Sequence, residues 1–340
     1  MSVTTIGVDL AKNVFHIHGV DAEGRSVLRR KTSRAGFERL MAGIPGCRVG
    51  MEAGSGSHHW ARQLHAHGHD VKLMPPRYVR PYVKTNKHDA ADAEACCEAV
   101  QRPGMRFVPV KTVEQQAVLM LHKVRDHLVC QRTGTINALR GHLAEFGITA
   151  ATQRRGLSEL IGLVENETDS GLPEDARKAL LLLVEQIHAG DKQIKDLDRQ
   201  IIEAAKVSEV CQRLIAVPGV GPIIATALTA HLPCPDQFTS GRHFAAWLGL
   251  TPRQHSSGGK DKILGISKRG NAYLRRQLVN GARAVVRVAP GRAGILWSWT
   301  NQLLSRRPFN VVVAAVASKL ARIAWSMCAH GTIWGKPEAA

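Results

Sequence analysis

"HDAADAEACCEAV", His88–Val100, is the stretch on which the reading of this chain turns. Asp89 and Asp92 stand three residues apart at what reads as a helix start, a spacing that puts both on one helix face. Two readings compete. In one, Asp89 is an N-cap and Asp92 favours the helix dipole. In the other, the pair holds a metal ion. The choice depends on whether other carboxylates reach the same point.

Upstream, "TTIGVDL" (Thr4–Leu10) is a β-branched run that ends in Asp9. "VFHIHGVDAEGRSVLRRKT" (Val14–Thr32) holds two alternating stretches around "DAEG", a hairpin signal. "ERLMAGI" is amphipathic, and "CRVGMEA" (Cys47–Ala53) reads as a strand that carries Glu52 at its end. "SHHWARQLHAHG" reads as a helix begun at a serine cap, "DVKLMPP" as a strand stopped by prolines, and "MRFVPV" as a last short strand. Strand, strand, strand, helix, strand, helix predicts a mixed sheet covered by helices, an α/β segment. Neighbouring strands bring their ends together, so Asp9, Glu52, Asp89 and Asp92 converge at one sheet edge. Phosphodiester chemistry needs such a cluster, because paired Mg²⁺ ions take shared hard oxygen ligands. Carboxylates crowded together with no cation would repel one another. Taken singly, each acid has a plain structural role: Asp9 in a strand-end turn, Glu52 capping a loop, Asp89 and Asp92 serving the helix.

The composition frames this chemistry. The chain has 340 residues, 44% hydrophobic and 22% charged, an ordinary globular composition of about two domains. No apolar run reaches the ~18–20 residues of a membrane span, and "MSVTTIGVDLAKN" lacks the features of a secretory signal. The expectation is a cytoplasmic, nucleoid-associated protein with no membrane partner. Seven cysteines without a C-x-x-C argue against a disulfide framework or a zinc knuckle and for reduced, mostly buried thiols. Forty-six Lys and Arg oppose 28 Asp and Glu, for a net charge of +18. Between Thr251 and Asn310 there are twelve cations and one acid, Asp261. Such a surface attracts nucleic acid by counterion release. The "HAHGH" tract (His65, His67, His69) reads as surface histidines, and His58 and His59 as bystanders.

From about Thr112 the pattern becomes helical. "TVEQQAVLMLHKVRDHLVCQRTGTINALRGHLAEFG" has apolar positions at three and four spacing. "DARKALLLLVEQIHAGDKQIKDLDRQIIEAAK" carries a heptad-like run at Leu182, Ile187, Ile194, Leu197 and Ile201, which fits a coiled-coil arm or a plain core helix. "LIAVPGVGPIIATALTAHL" reads as helix, Pro-Gly turn, helix. Gly219 and Gly221 would let a backbone phosphate approach a helix N-terminus, as in helix-hairpin-helix DNA binders. "HSSGGKD" reads by itself as a flexible surface loop. Arg253, Lys260, Lys262, Lys268, Arg269, Arg275 and Arg276 are candidate phosphate clamps, with a solvated basic face as the alternative.

"IGVDLAKN", "MEAGSGSHHWARQL" and "KTNKHDAADAEA" resemble the three acidic motifs of the insertion-sequence one-ten family of DEDD transposases, relatives of the pilin-gene invertases. "LIAVPGVGPIIATAL", "FAAWLGLTPRQHSSGG" and "SKRGNAYLRRQL" resemble its C-terminal transposase domain. The resemblance covers nearly the whole chain. It implies an α/β plus α architecture: a RuvC-like RNase H fold over 1–150, a coiled-coil or helical arm over 151–207, and a mostly helical transposase domain over 208–340. By motif match the DEDD residues fall on Asp9, Glu52, Asp89 and Asp92, with Mg²⁺ or Mn²⁺ as cofactor. A catalytic serine falls on Ser257, next to Ser256. The resemblance further implies donor and target double-stranded DNA, a structured noncoding guide RNA that reads both by base pairing, and a homo-oligomer, dimer or tetramer. The reaction expected is recombination by serine attack through a phosphoserine link. Two rivals remain: a metal-dependent junction-resolving nuclease that uses water, and a nucleic-acid binder without chemistry.

Overall fold

The computed structural model describes residues 2–84, 88–166, 171–232, 234–257 and 260–335, and of residues 255, 257 and 260–263 the backbone alone. The chain divides by its contacts into two units, Met1–Val113 and Glu114–Ala340. The boundary expected at 150 lies past the long helix that opens the second unit.

In the first unit, β1 (Thr5–Leu10), β2 (Val14–Val20) and β3 (Ser26–Ser33) form an antiparallel meander. Asp21 closes the β2–β3 turn by accepting the amides of Glu23 and Arg25 on Oδ1, and Gly24 takes the positive φ of 79° that the turn requires. Then follow α1 (Arg34–Ala42), β4 (Arg48–Glu52), α2 (Ser57–Ala66), β5 (Asp70–Met74), the single turn α3 (Pro76–Val79) and α4 (Asp89–Val100). The sheet order is β3-β2-β1-β4-β5, with β4 parallel to β1 and β5 parallel to β4. This is the mixed sheet the strand pattern predicts. "MRFVPV" differs: it contributes one bridge, Val108 to Leu73, and no strand. Its proline lacks the amide that would extend the ladder.

Alternation assigns the two faces of the sheet. Ile6, Val8, Phe15 and Ile17 point to the side of α1 and α2, where Phe15, Phe37 and Trp60 pack edge to face with centroids 4.9–5.2 Å apart. The other face carries Gly7, Asp9, His16 and His18, and α4 lies on it. His69 belongs to the core, not to the surface as the histidine tract suggests. It is 2% exposed, accepts the Cys47 amide on Nδ1 at 3.3 Å and donates from Nε2 to the Met41 carbonyl at 3.0 Å. A saturated imidazole is as easy to bury as an amide. His65 and His67 are exposed.

The second unit opens with α5 (Val113–Ala144), α6 (Arg154–Glu165) and α7 (Glu174–Lys206). The ion pairs Arg125–Asp198 and Arg132–Asp191 run α5 antiparallel to α7. The buried positions of α7 are Leu180, Val184, Ile187, Ile194, Ile201 and Ala205. Leu182, expected in the seam, is 60% exposed, because the true repeat starts at Leu180. Two seam positions of that repeat are Asp191 and Asp198, whose charges are met by the arginines of α5.

Next come α8 (Glu209–Ile215), α9 (Pro222–His231), α10 (Gly241–Trp247), β6 (Pro252–Ser257), β7 (Lys260–Ile266), α11 (Ala272–Val288), α12 (Ile295–Leu304) and α13 (Phe309–His330). Of the segment read as a flexible loop at "HSSGGKD", the described residues His255–Ser257 and Lys260–Asp261 belong to two antiparallel strands. By length and composition alone, α13 is long and apolar enough to cross a membrane. Lys319 and Arg322 interrupt its apolar run, which hides it from a strict run count. In this fold it is a core helix, with Val312, Val313, Val316, Leu320 and Ala324 buried. Inside the same unit His122 is 1% exposed and bonded on both sides, Nδ1 to the Tyr273 hydroxyl at 2.8 Å and Nε2 to Thr226 Oγ1 at 3.0 Å. Burial, with the charges of His231 and Arg125 adding to it, pulls its pKa down to about 4, so it is neutral at physiological pH.

Candidate metal centre

The site is built by two glycines and a helix start. Gly7 and Gly50 pair in register on β1 and β4, and each stands two residues before an acid, Asp9 and Glu52. The period of two puts glycine and acid on the same face. A Cβ on Gly7 would lie 2.1 Å from the Ala93 carbonyl oxygen and 2.2 Å from the Cys97 amide nitrogen. One on Gly50 would lie 2.8 Å from the Cys96 carbonyl oxygen. Only glycine lets α4 rest directly on both strands. That contact aims the first turn of α4 at the strand ends.

Gly7→Ala therefore has an expected outcome. The obstruction is backbone on both sides and cannot rotate away, so the variant loses ~3 kcal/mol or more and its Tm falls by ~10 °C or more. Gly54→Ala, with nothing within 4 Å of its added Cβ, stays within ~0.5 kcal/mol of the parent. Thermal denaturation of the two variants checks this.

The capping question has a direct answer. His88, not Asp89, is the N-cap: its Nδ1 accepts the Ala91 amide at 3.1 Å. Asp89 is the first helical residue, and the helix does not need its carboxylate as a cap. One carboxylate oxygen each from Asp9, Asp89 and Asp92 lie within 4.8 Å of one another. Asp9 and Asp92 are half-buried and Asp89 is exposed. Three like charges this close repel at any dielectric. Oxygens at this spacing fit a hard divalent cation, whose ligand distances are about 2.0–2.6 Å. Glu52 falls outside that tight group and stays near it. The Cys96 thiol of α4 is pushed up first by burial and then by the negative charges of Glu52, Asp9 and Asp92. The structure thus brings Asp9, Asp89 and Asp92 together, with Glu52 beside them.

The second set of expected residues sits in the second unit. Ser257 is the last residue of β6 and pairs with Lys260 across the hairpin tip. At ~3.3 Å per residue it stands ~16 Å from Pro252 at the hairpin base. The side chains of Ser257, Lys260 and Lys262 lie outside the described residues. Ser256 accepts a hydrogen bond from Gln254 Nε2 at 2.8 Å. Gly219 has φ of 84°, and its space is filled by α11: a Cβ there would lie 2.8 Å from the Gly281 carbonyl oxygen. Its close approach is to a helix of its own unit. Gly221 caps α9 and is open, with nothing within 4 Å. Arg253, Lys268 and Arg269 are exposed, and Lys268 takes a positive φ of 55°. Arg275 donates to the carbonyls of Leu248 at 2.9 Å and Arg269 at 3.0 Å, and Arg276 pairs with Asp126. Both arginines thus have partners inside their own unit.

A five-stranded mixed sheet of this order, with acids at its strand ends and a helix start facing them, is consistent with an RNase H-like DEDD domain. Comparison with known proteins gives the same answer. Residues 6–148 match a DEDD transposase family described as "Transposase", and residues 211–294 match the "Transposase IS116/IS110/IS902 family". A probable family 20 transposase of Pseudomonas aeruginosa is 46% identical over 337 residues, 98% of this chain and 99% of that protein. The transposase for insertion sequence element IS1328 of Yersinia enterocolitica is 42% identical, over 98% of this chain and 99% of the relative. The pilin gene-inverting protein of Moraxella bovis is 23% identical over 96% of both chains. The chain belongs to the IS110 family of insertion-sequence transposases, enzymes that cut and rejoin DNA. All four acids fall within the first family match and Ser257 within the second.

Proposed function

We propose that this transposase exchanges DNA strands by serine attack at a phosphate held by Asp9, Glu52, Asp89 and Asp92 through Mg²⁺ or Mn²⁺. The observation that carries the metal reading is the approach of Asp9, on a strand, to within 4.8 Å of two helix-start aspartates that the helix does not need as caps. When bound, the divalent cation supplies Lewis acidity at the phosphoryl oxygen and neutralises the charge that builds there. The four carboxylates supply its ligands and fix its position. Ser257 Oγ forms a bond to phosphorus as one P–O bond to the deoxyribose breaks. The serine proton goes to the released hydroxyl, and the DNA end stays on the protein as a phosphoserine. The exposed Arg253, Lys268 and Arg269, with Lys260 and Lys262, hold backbone phosphates near the hairpin, and Gly221 lets a phosphate approach the start of α9. The net charge of +18 suits two polyanions, DNA and a structured noncoding guide RNA. Two DNAs must be cut and exchanged, so the working form is a dimer or tetramer.

Nucleic acid that copurifies with the protein tests the guide. Sequencing is expected to return one discrete noncoding RNA encoded beside the gene. Random cellular RNA, or none, would leave a transposase that reads its sites by itself.

A further inference from the structure

His16 stands at the edge of the acidic cluster and none of the family motifs includes it. On β2 it is the antiparallel register partner of Asp9, so the two side chains share the α4 face. Its ring reaches over to α4, where Nε2 lies 3.8 Å from Asp89 Oδ2. That nitrogen is buried and has no hydrogen-bond partner among the described residues, while the side chain as a whole keeps 17% of its exposure. A buried donor left unmade costs ~1–3 kcal/mol, so an orphan beside a candidate metal ligand calls for a reason. Two other buried histidines, His69 and His122, are bonded through both ring nitrogens.

We propose that His16 is a positioning residue for Asp89: with a divalent cation in place, Nε2–H donates to the Asp89 carboxylate and holds its free oxygen turned toward Asp9 and Asp92. The inference rests on the metal reading above. Ligating carboxylates are regularly oriented by such outer donors. Asp89 needs one more than its partners do, since its side chain is 63% exposed and sits in the first position of a helix. A small rotation of that carboxylate closes 3.8 Å to hydrogen-bond distance. His16 also lines a cleft of about 320 Å³ whose other walls include Arg29, Arg30, Lys31 and His88.

Calorimetric titration of the full-length, DNA-free protein with MnCl₂ and with MgCl₂ tests this, in the parent, Asp9→Ala, His16→Leu and His16→Gln. The expected result is a ~10–100-fold loss of affinity for both ions in His16→Leu. His16→Gln, which keeps an N–H donor, retains most of the parent affinity, and Tm confirms that both variants fold. Unchanged affinity in a folded His16→Leu overturns the proposal and leaves the metal site standing. A loss in both variants that is much larger for Mn²⁺ than for Mg²⁺ also overturns it, because it makes the imidazole a direct nitrogen ligand. If the parent binds neither ion, or binds as Asp9→Ala does, the metal reading itself has failed and this inference falls with it.

Discussion

Asp89→Asn is expected to reduce strand cleavage by ~10²–10³-fold or more while its Tm and its DNA affinity stay near those of the parent. The asparagine separates the two meanings of the acid. It keeps shape and hydrogen bonding at a position where the cap is supplied by His88. It removes the charge that a divalent ion needs. Asp9→Ala is expected to give the same loss from the strand side of the cluster. Cleavage of a supercoiled plasmid, followed beside a mobility-shift assay, measures both. Adding EDTA to the parent should reproduce the defect, and excess Mn²⁺ should restore it. Full cleavage by Asp89→Asn would return this aspartate to a structural role.

Ser257→Ala is expected to remove recombination and the covalent protein–DNA species together. In the parent, a labelled oligonucleotide quenched in denaturant should carry label into the protein band, and the link should be stable to conditions that hydrolyse acyl phosphates. In the variant the label stays free, because a methyl group offers no oxygen to phosphorus. Ser256→Ala is the control: its hydroxyl is the acceptor for Gln254 and is expected to be dispensable for the adduct. A junction-resolving nuclease that activates water predicts the reverse, with full cleavage in Ser257→Ala and no adduct in the parent.

Much of the first unit is legible in the sequence because its strands are short runs set off by turn residues, and β1 and β4 carry Asp9 and Glu52 at their ends. The helix start at His88 is legible as well, down to Asp89 and Asp92 sharing a face. The builder of the site was there to be read and is missed: G-x-D at Gly7–Asp9 and G-x-E at Gly50–Glu52 are one device used twice, a glycine that admits α4 and an acid that meets its start. His16 is harder to find. "VFHIHGV" puts it opposite Phe15 and Ile17, and only the register of the β1–β2 pair places it beside Asp9. A one-residue slip would turn it to the other face.

The second unit hides more. The β6–β7 hairpin has no apolar alternation in "PRQHSSGGKDK", because most of its described strand positions are exposed and few need to be apolar. The arm's repeat is off by two residues at Leu182, since a run of four leucines from Leu180 to Leu183 gives no phase by itself. The seam is marked instead by acids that a hydrophobic count skips, Asp191 and Asp198. Arg275 and Arg276 look like phosphate ligands in a sequence. Their neighbours in space, the Leu248 and Arg269 carbonyls and Asp126, come from distant or turned segments that sequence order does not bring together.

The central claim is that acids distant in the chain close on a divalent cation. Crystals of the protein grown with MnCl₂ and measured on both sides of the manganese absorption edge test it most directly. The account predicts an anomalous peak within ligand distance of carboxylate oxygens from Asp9, Asp89 and Asp92, lost in Asp9→Ala crystals. A clean map there at saturating Mn²⁺, with the three carboxylates splayed apart, would contradict it.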